Sequence, residues 1–282
     1  MKPGRFTYHA PRGLDEALGL LAEFGDDAKI IAGGQSLMPM LNFRLARIDH
    51  LVDINRIDAD LATPRLDGTH LTLPALVRQR QVERDDRLAD AVPLLREALE
   101  QVAHPQIRNR GTVCGSLAHA DPAAELPTVM TALGAEFTVV SARGERVIGV
   151  DDFFQFLLTT AMEPDELLRE VRIPLPGPDT ATAFEEFAVR RGDFALAAVA
   201  VVASTDQIRV VAAGVAPTPM RLPAVEALVA GSTMDDDVLS AAAAAAAEAV
   251  DPASDTHASA RYRKRLTGAL VRRALQRIRH AR

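Results

Sequence analysis

Residues 109–122 read NRGTVCGSLAHADP, and this stretch decides the fold more than any other. Small and hydroxyl residues follow one another here, so the start of the stretch is predicted to be a loop. A helix is expected to begin at Asp121-Pro122, with Asp121 as N-cap and Pro122 at the first helical position. The sequence thus predicts a small-residue loop that leads into a helix N-terminus.

A second glycine segment lies earlier, where residues 29–36 read KIIAGGQS. Its apolar start predicts a buried strand that the two glycines end. Glycine lets a ligand approach the backbone closely, and successive N–H groups in such a turn form a concavity that suits a diphosphate. An ordinary tight turn is the alternative that this segment alone leaves open. Neither segment has the glycine spacing of a Rossmann or P-loop motif, so neither of those sites is predicted.

The composition is that of a globular chain of about two domains. The chain has 282 residues and is 48% hydrophobic. A net charge of −6, no Trp and only two Tyr argue against nucleic-acid binding. The sequence contains no run of about 20 apolar residues, so no membrane span is predicted. No signal-type segment opens the chain, and a cytoplasmic location is therefore expected.

Cys114 is the single cysteine. One thiol excludes an intrachain disulfide, a four-cysteine zinc site and an iron–sulfur cluster held by this chain alone. His119 and Asp121 have no third ligand nearby in the sequence, so packing or capping roles are expected and no metal site is predicted. The chain has no G-x-S-x-G elbow, so hydrolase chemistry has no support and no catalytic residue is predicted.

Hydrophobic periodicity predicts the remaining elements. Helices are expected at 14–24, within 76–101 with Pro93 opening a new one, and at 223–230, 235–250 and 258–280. Strands are expected at 51–54, 71–73, 195–203 and 208–215, with a hairpin over 137–148. The segment PLPGPDT at 174–180 predicts the main domain boundary.

The last 22 residues hold nine Lys or Arg and no acid. Leu266, Leu270, Ala274 and Ile278 recur every four residues there, which predicts a packed helix face. The basic face of 261–282 is therefore expected to be solvated or to contact another subunit, and a nucleic-acid role is disfavoured.

Nearly the whole chain resembles the medium, flavin-carrying subunit of the carbon monoxide dehydrogenase/xanthine dehydrogenase (molybdenum hydroxylase) family. The stretches AGGQSLMPMLNFRLA at 32–46 and HPQIRNRGTVCGSLAHADPAAELP at 104–127 resemble its two FAD-binding signatures. FTYHAPRGLDEAL at 6–18, RRGDFALAAVAV at 190–201 and YRKRLTGALVRRAL at 262–275 also fit. The long second signature is the most specific of these.

The resemblance implies an α+β fold. A PCMH-type FAD-binding region, 1–175, would have two subdomains at about 1–57 and 58–175, and a smaller α+β domain with a short antiparallel sheet and helices would follow at 176–282. FAD would lie between the two subdomains. An iron–sulfur small subunit would carry [2Fe–2S] clusters and a large subunit the molybdenum cofactor, in a dimer of heterotrimers. Electrons would run from molybdenum through iron–sulfur to FAD and an external acceptor.

The resemblance also assigns FAD-binding residues by motif position. The diphosphate would lie on Lys29, Ile30, Ile31, Ala32, Gly33, Gly34, Gln35 and Ser36, and on Thr112, Val113, Cys114, Gly115 and Ser116. Glu125 matches an acid that accepts from ribitol or ribose hydroxyls, with a solvated first-turn acid as the alternative. Val102 and Leu168 match apolar or backbone contacts to the flavin. Gly33→Val should lower the content of non-covalent FAD, since a Cβ would crowd the phosphates and strain a positive φ.

Two candidate residues depart from the family pattern. Cys114 replaces the first glycine of T-x-G-G-S, and its Cβ requires the turn to keep ordinary dihedral angles. Glu186 stands where some relatives have a lysine near the flavin. A cation there would stabilise a reduced, anionic flavin, and an acid would not.

Three functions remain in competition. The first is an FAD-carrying electron-transfer subunit of a molybdenum-dependent hydroxylase. The second is a stand-alone FAD-dependent oxidoreductase that resembles the enolpyruvyl reductases, and the third is a non-catalytic scaffold that has lost FAD. Carbon monoxide, purines, aldehydes and N-heterocycles all remain open as substrates of the complex, because the first function places the substrate pocket on another chain.

Overall fold

The first part of the chain builds a three-stranded parallel sheet. The computed structural model describes residues 1–281. The strands have the order β1-β3-β2: β1 Thr7–His9, β2 Ala28–Ile31 and β3 His50–Asp53. Two helices, α1 Leu14–Phe24 and α2 Leu37–Asn42, accompany the sheet. Helix α1 buries Ala17, Leu18 and Leu21 in a core shared with the second sheet.

The second part is a five-stranded antiparallel sheet with the order β4-β5-β10-β6-β7. Its strands are β4 Arg65–Leu66, β5 His70–Pro74, β6 Glu136–Ser141, β7 Gly144–Gly149 and β10 Leu167–Pro174. Its helices are α3 Gln79–Arg84, α4 Asp86–Ala91, α5 Pro93–Leu99, α6 Pro105–Arg108, α7 Val113–His119, α8 Glu125–Leu133 and α9 Val150–Phe153. A small hairpin, β8 Phe154–Phe156 and β9 Thr159–Thr160, lies between β7 and β10.

The third part is a four-stranded antiparallel sheet that is covered on both faces. Its strands are β11 Ala181–Phe187, β12 Ala197–Ala203, β13 Ile208–Ala213 and β14 Met220–Arg221, and its helices are α10 Pro223–Val229, α11 Asp236–Ala249 and α12 Ala260–Ala281. Alternate residues of β12 face opposite cores: Ala198 packs with the second part, and Val199 packs with the C-terminal helices. Burial on both faces explains the unbroken apolar run of this strand.

The structure confirms the predicted α+β class and most predicted elements. Helix α1 has the predicted bounds, and Pro93 opens α5 as expected. The start of α8 is a correction. Asp121 does not cap a helix at Pro122, because its side chain accepts a hydrogen bond from Ala123 N at 2.9 Å in a turn, and the helix begins at Glu125. No helix within residues 1–281 is long and apolar enough to cross a membrane.

The basic C-terminal helix packs as its periodicity predicts. Leu270, Ala274 and Ile278 are buried on one face of α12. Much of its positive charge is already paired with acids of this chain. The pairs are Arg263–Asp255, Lys264–Asp251, Arg273–Glu185, Arg277–Glu97 and Arg279–Asp236. A contact between this helix and another subunit stays a prediction, and Arg282 lies outside the described residues.

Candidate functional site

A cavity of about 950 Å³ lies where the three parts of the chain meet. This volume is in the range of cofactor pockets. The first part contributes the turn after β2, and the second contributes α7 and the start of β10. The third contributes Gly192, Asp193 and Phe194 from the loop between β11 and β12.

The turn after β2 is held by side chains that bind its carbonyl groups. Gln35 Nε2 donates to Gly33 O at 3.0 Å, and Asn55 Nδ2 donates to Ala32 O at 2.7 Å. Gly34 has a φ of 71°, a conformation that favours glycine. The expected positive φ therefore belongs to Gly34 and not to Gly33.

Gly33 is required for a different reason, which is close approach to the second glycine segment. A Cβ atom on Gly33 would lie 2.5 Å from the Arg110 carbonyl oxygen and 2.7 Å from the Gly111 Cα. Both neighbours are backbone atoms, so no side-chain rotation can relieve the overlap. The two glycine segments thus touch each other in the wall of the cavity.

A polar bridge joins the same two segments. Arg78 donates to Arg110 O and to Asn55 Oδ1, both at 2.5 Å. Asn55 in turn holds the first segment through Ala32. Arg78 also pairs with Thr112 through an isolated β-bridge. Arg78 and Asn55 were missed in the sequence because each is a single polar residue outside both motifs.

The second segment is helical, which corrects the expectation of a loop over 112–116. Helix α7 begins at Val113, and the Thr112 side chain caps it by accepting from Gly115 N at 3.0 Å. A Cβ on Gly115 would lie 2.5 Å from Thr112 Oγ1, so glycine permits this cap. Helical dihedrals also accommodate Cys114 without strain. The cap was missed because the small residues masked the helical period.

Cys114 directs its thiol away from solvent. The Sγ donates to Leu73 O at 3.3 Å, and the residue is 2% exposed. Burial raises the pKa of this thiol far above its usual range. The group is therefore held as an unreactive thiol in the core under the cavity.

Glu125 is the first residue of α8 and lies in the cavity wall. It is 7% exposed, so the alternative of a solvated first-turn acid is wrong. Burial raises the pKa of this carboxyl to about 7, against the opposing effects of a hydrogen bond with its own backbone and of Arg108. The cavity wall thus contains a carboxyl group that is partly neutral near pH 7.

The candidate residues of the sequence analysis fall into two groups. Residues 29–36, Val102, Thr112, Cys114, Gly115, Ser116, Glu125 and Leu168 all line the cavity. Val113 and Glu186 are not part of its lining: Val113 is fully buried in the core, and Glu186 lies on β11. A side-chain contact from Val113 to a ligand in the cavity is therefore not supported.

Several lining residues were not singled out in the sequence. Ala103 and His104 form one edge, and Leu158 forms another at the tip of the β8–β9 hairpin. The hairpin is tied to the end of α7, since Leu158 N donates to Ala120 O at 3.2 Å. Phe194 lines the cavity although it is 68% exposed. His104 and Phe194 lie in the stretches at 104–127 and 190–201 that resemble the family, so the sequence offered a signal for these two. Ala103 and Leu158 lie outside those stretches and offered none.

A buried ion pair supports the edge formed by Ala103. Arg108 donates to both Glu83 oxygens, at 2.8 and 3.0 Å, and to the carbonyls of Val102 and Ala103 at 2.6 and 3.0 Å. Arg108 and Arg80 hold the pKa of Glu83 below its ordinary value despite burial. Two paired carbonyls and a bidentate carboxylate fix the backbone at this edge. Within the described part of the chain, no group of three or more His, Cys, Asp or Glu side chains is placed to hold a metal ion.

Comparisons with known proteins agree along the whole chain. Residues 4–176 match the model of the FAD binding domain in molybdopterin dehydrogenase. Residues 182–278 match the C-terminal domain of the CO dehydrogenase flavoprotein.

Three similar proteins illustrate the likeness. The chain is 41% identical to the alpha subunit of the 6-hydroxypseudooxynicotine dehydrogenase complex of Paenarthrobacter nicotinovorans, over 99% of this chain and 96% of that one. It is also 41% identical to the caffeine dehydrogenase beta subunit of Pseudomonas sp. strain CBB1, over 98% and 96%. A structure of carbon monoxide dehydrogenase from Hydrogenophaga pseudoflava has a TM-score of 0.95 and 37% identity, over 100% and 99% of the two chains.

Proposed function

Because the chain belongs to the family of FAD-binding medium subunits of molybdenum hydroxylases, we propose that it relays electrons from iron–sulfur clusters on a partner to an external acceptor. The observation that carries this proposal is the cavity, which is lined by the two glycine segments, by Glu125 and by the loop at Gly192–Phe194. Bound FAD supplies the redox chemistry, and the chain supplies binding, orientation and electrostatics.

The residues of the cavity fit FAD. Its volume of about 950 Å³ is within the range for a large cofactor. The contact between Gly33 and Gly111 keeps side chains out of one end, so backbone N–H groups can approach phosphates there. Leu168 and Phe194 provide apolar surface for a ring system, and Glu125 provides a carboxyl group for sugar hydroxyls.

We assign the binding roles accordingly. Residues 29–36 and 112–116 hold the diphosphate, with Val113 acting through its backbone alone. Glu125 accepts from hydroxyl groups of the ribitol or ribose. Val102 and Leu168 contact the flavin. Arg78 and Asn55 do not line the cavity; they keep the two diphosphate segments in register through their hydrogen bonds.

The proposed partners follow from the cysteine content of this chain, which is too low to hold an iron–sulfur cluster. A relay flavin needs an electron donor, and one cysteine cannot bind an iron–sulfur cluster by itself. We propose a small subunit with [2Fe–2S] clusters and a large subunit with the molybdenum cofactor, assembled as a dimer of heterotrimers. The related complexes act, by their names, on 6-hydroxypseudooxynicotine, caffeine and carbon monoxide. These differ too widely to assign this chain a substrate.

The test uses the full chain expressed alone and supplied with FAD. We expect a yellow protein whose flavin enters the supernatant after acid precipitation, because no covalent link is formed. We also expect no oxidation of organic substrates without the partners. A protein that never binds FAD supports the scaffold alternative. Turnover of an organic substrate by the chain alone supports the stand-alone oxidoreductase.

A further inference from the structure

Gln79 lies in the wall of the cavity, beside the contact between the two glycine segments. Its backbone N–H donates to Gly111 O at 2.9 Å. A Cβ atom on Gly111 would lie 3.0 Å from Gln79 Oε1 and 3.2 Å from Gln79 Cδ, so the oxygen end of the amide packs against this glycine. Gly111 is also the residue that Gly33 approaches. The Gln79 amide is therefore fixed next to the point where the two segments meet.

The side-chain amide of Gln79 makes no hydrogen bond within the described part of the chain. The residue is 5% exposed, and its buried Oε1 atom has no hydrogen-bond partner among residues 1–281. Its neighbours Arg80 and Gln81 differ, because both donate hydrogen bonds within the chain. A buried amide without partners costs the folded chain free energy. An unpaired amide in a cavity wall therefore points to a ligand that pairs with it.

Two nearby nitrogen donors are already used. Gln35 Nε2 donates to Gly33 O at 3.0 Å. Arg78 binds a backbone carbonyl and the Asn55 side chain, and it does not line the cavity. Gln79 in contrast keeps both N–H donors of its amide. It can add a side-chain hydrogen bond where backbone N–H groups approach an anion.

We propose that Gln79 binds the diphosphate of FAD by donating one N–H of its side-chain amide to a phosphate oxygen. This inference rests on the proposed function, which places the diphosphate on the two glycine segments. Because Oε1 faces Gly111, Nε2 is the end of the amide that remains for the ligand. Hydrogen bonds to an ionised acceptor are stronger than those between neutral groups. Gln79 acts in binding alone and takes no part in electron transfer.

The first experiment compares the FAD affinity of the full chain with that of Gln79→Leu by fluorescence titration. Leucine has a similar size and no polar atoms, so we expect the affinity to fall about tenfold or more. Gln81→Leu is the matched control on the same helix and should bind FAD like the unaltered chain. Unchanged affinity in Gln79→Leu would overturn the inference and leave the proposed function intact. An unaltered chain that binds no FAD would refute the proposed function itself.

The stability of the FAD-free chain separates a binding role from a structural one. Removal of an unpaired buried amide relieves a cost of the folded state. In urea denaturation without FAD, Gln79→Leu should therefore be at least as stable as the unaltered chain. A Gln79→Leu chain that is less stable, or that does not fold, would show that the amide serves the fold and would overturn the inference.

Gln79→Glu tests the donor directly, because it keeps the shape of the side chain and replaces the N–H donors with a carboxylate oxygen. At about pH 8, where an ordinary Glu carboxyl is ionised, its charge repels the phosphates. We expect this variant to lose more FAD affinity than Gln79→Leu loses. A Gln79→Glu chain that binds FAD more tightly than Gln79→Leu would indicate an acceptor at this position and would overturn the donor role.

Phosphorus-31 spectra of bound FAD locate the contact on the cofactor. At saturating FAD, at least one of the two phosphorus resonances should shift in Gln79→Leu, and neither should shift in Gln81→Leu. Resonances that coincide with those of the unaltered chain in both variants would contradict a contact between Gln79 and the diphosphate.

Discussion

Gly33 and Gly111 meet backbone to backbone, and a Cβ on Gly33 would lie 2.7 Å from the Cα of Gly111. This contact joins two segments that lie far apart in the sequence, since Gly33 and Gly111 are 78 positions apart. Both glycines line the cavity, and their contact leaves no room for a side chain on Gly33. The placement of FAD that we propose depends on this approach, because either segment alone would be an ordinary turn or helix start.

Gly33→Ala is therefore expected to separate the two segments. The methyl group overlaps backbone atoms of Arg110 and Gly111, which cannot rotate away. We expect the affinity for FAD to fall at least about tenfold, equivalent to about 1.4 kcal/mol. The ratio of flavin to protein absorbance and a fluorescence titration measure this. Gly19→Ala is the control, since a Cβ there meets nothing within 4 Å, and unchanged FAD affinity in Gly33→Ala would contradict the assignment.

Thr112→Ala removes the cap of α7. Its side chain accepts from Gly115 N at 3.0 Å, and loss of such a cap costs about 1 kcal/mol of stability. Because this helix start lines the cavity, we expect FAD affinity to fall as well. Asp235→Ala removes a comparable cap from α11, where Asp235 accepts from Asp237 N and Val238 N. Denaturation should show similar losses for both variants, whereas only Thr112→Ala should weaken FAD binding.

Cys114 is expected to resist thiol reagents in the folded chain. Its thiol is buried, donates to Leu73 O and has a raised pKa, so little thiolate forms. A colorimetric thiol assay should detect no rapid reaction in buffer and one thiol per chain in denaturant. Rapid labelling of the native protein would show that the Cys114 region opens to solvent.

The pH dependence of stability should change in Glu186→Gln. The pKa of Glu186 is about 8 in the folded chain against 4.5 as the ordinary value, so the folded state binds more protons between these pH values. The contribution of Glu186 to the free energy of unfolding is fully present below about pH 4.5 and is lost as pH rises through about 8. The loss is at most about 1.4 kcal/mol per pH unit. Urea denaturation should show that Glu186→Gln gains stability relative to the unaltered chain as pH rises, and a constant difference would contradict this.

Elements with a strong period could be predicted from the sequence. Helix α1 shows a clean apolar stripe, and β12 is an unbroken apolar run, so both were predicted within two residues. The hairpin of β6 and β7 was predicted from its central Arg143-Gly144 turn. In these elements local pattern and tertiary burial agree.

Other features depend on contacts that no local pattern shows. Helix α7 starts inside the glycine segment because Thr112 caps it, and α8 starts late because Asp121 forms a turn instead. The bridge from Arg78 to Asn55 joins residues far apart in sequence. Glu186 likewise lies outside the cavity lining, because its strand β11 packs on α5 and α12. Tertiary contacts decide each of these cases.

Native mass spectrometry tests the central claim most directly. The sample is the complex purified through a tag on this chain, from cells that express the chain together with its natural partners. We predict an assembly in which this chain, with one non-covalent FAD, is joined to a subunit with iron–sulfur clusters and a subunit with the molybdenum cofactor. A lone chain, free of iron and molybdenum, that oxidises an organic substrate at full rate would contradict the relay function.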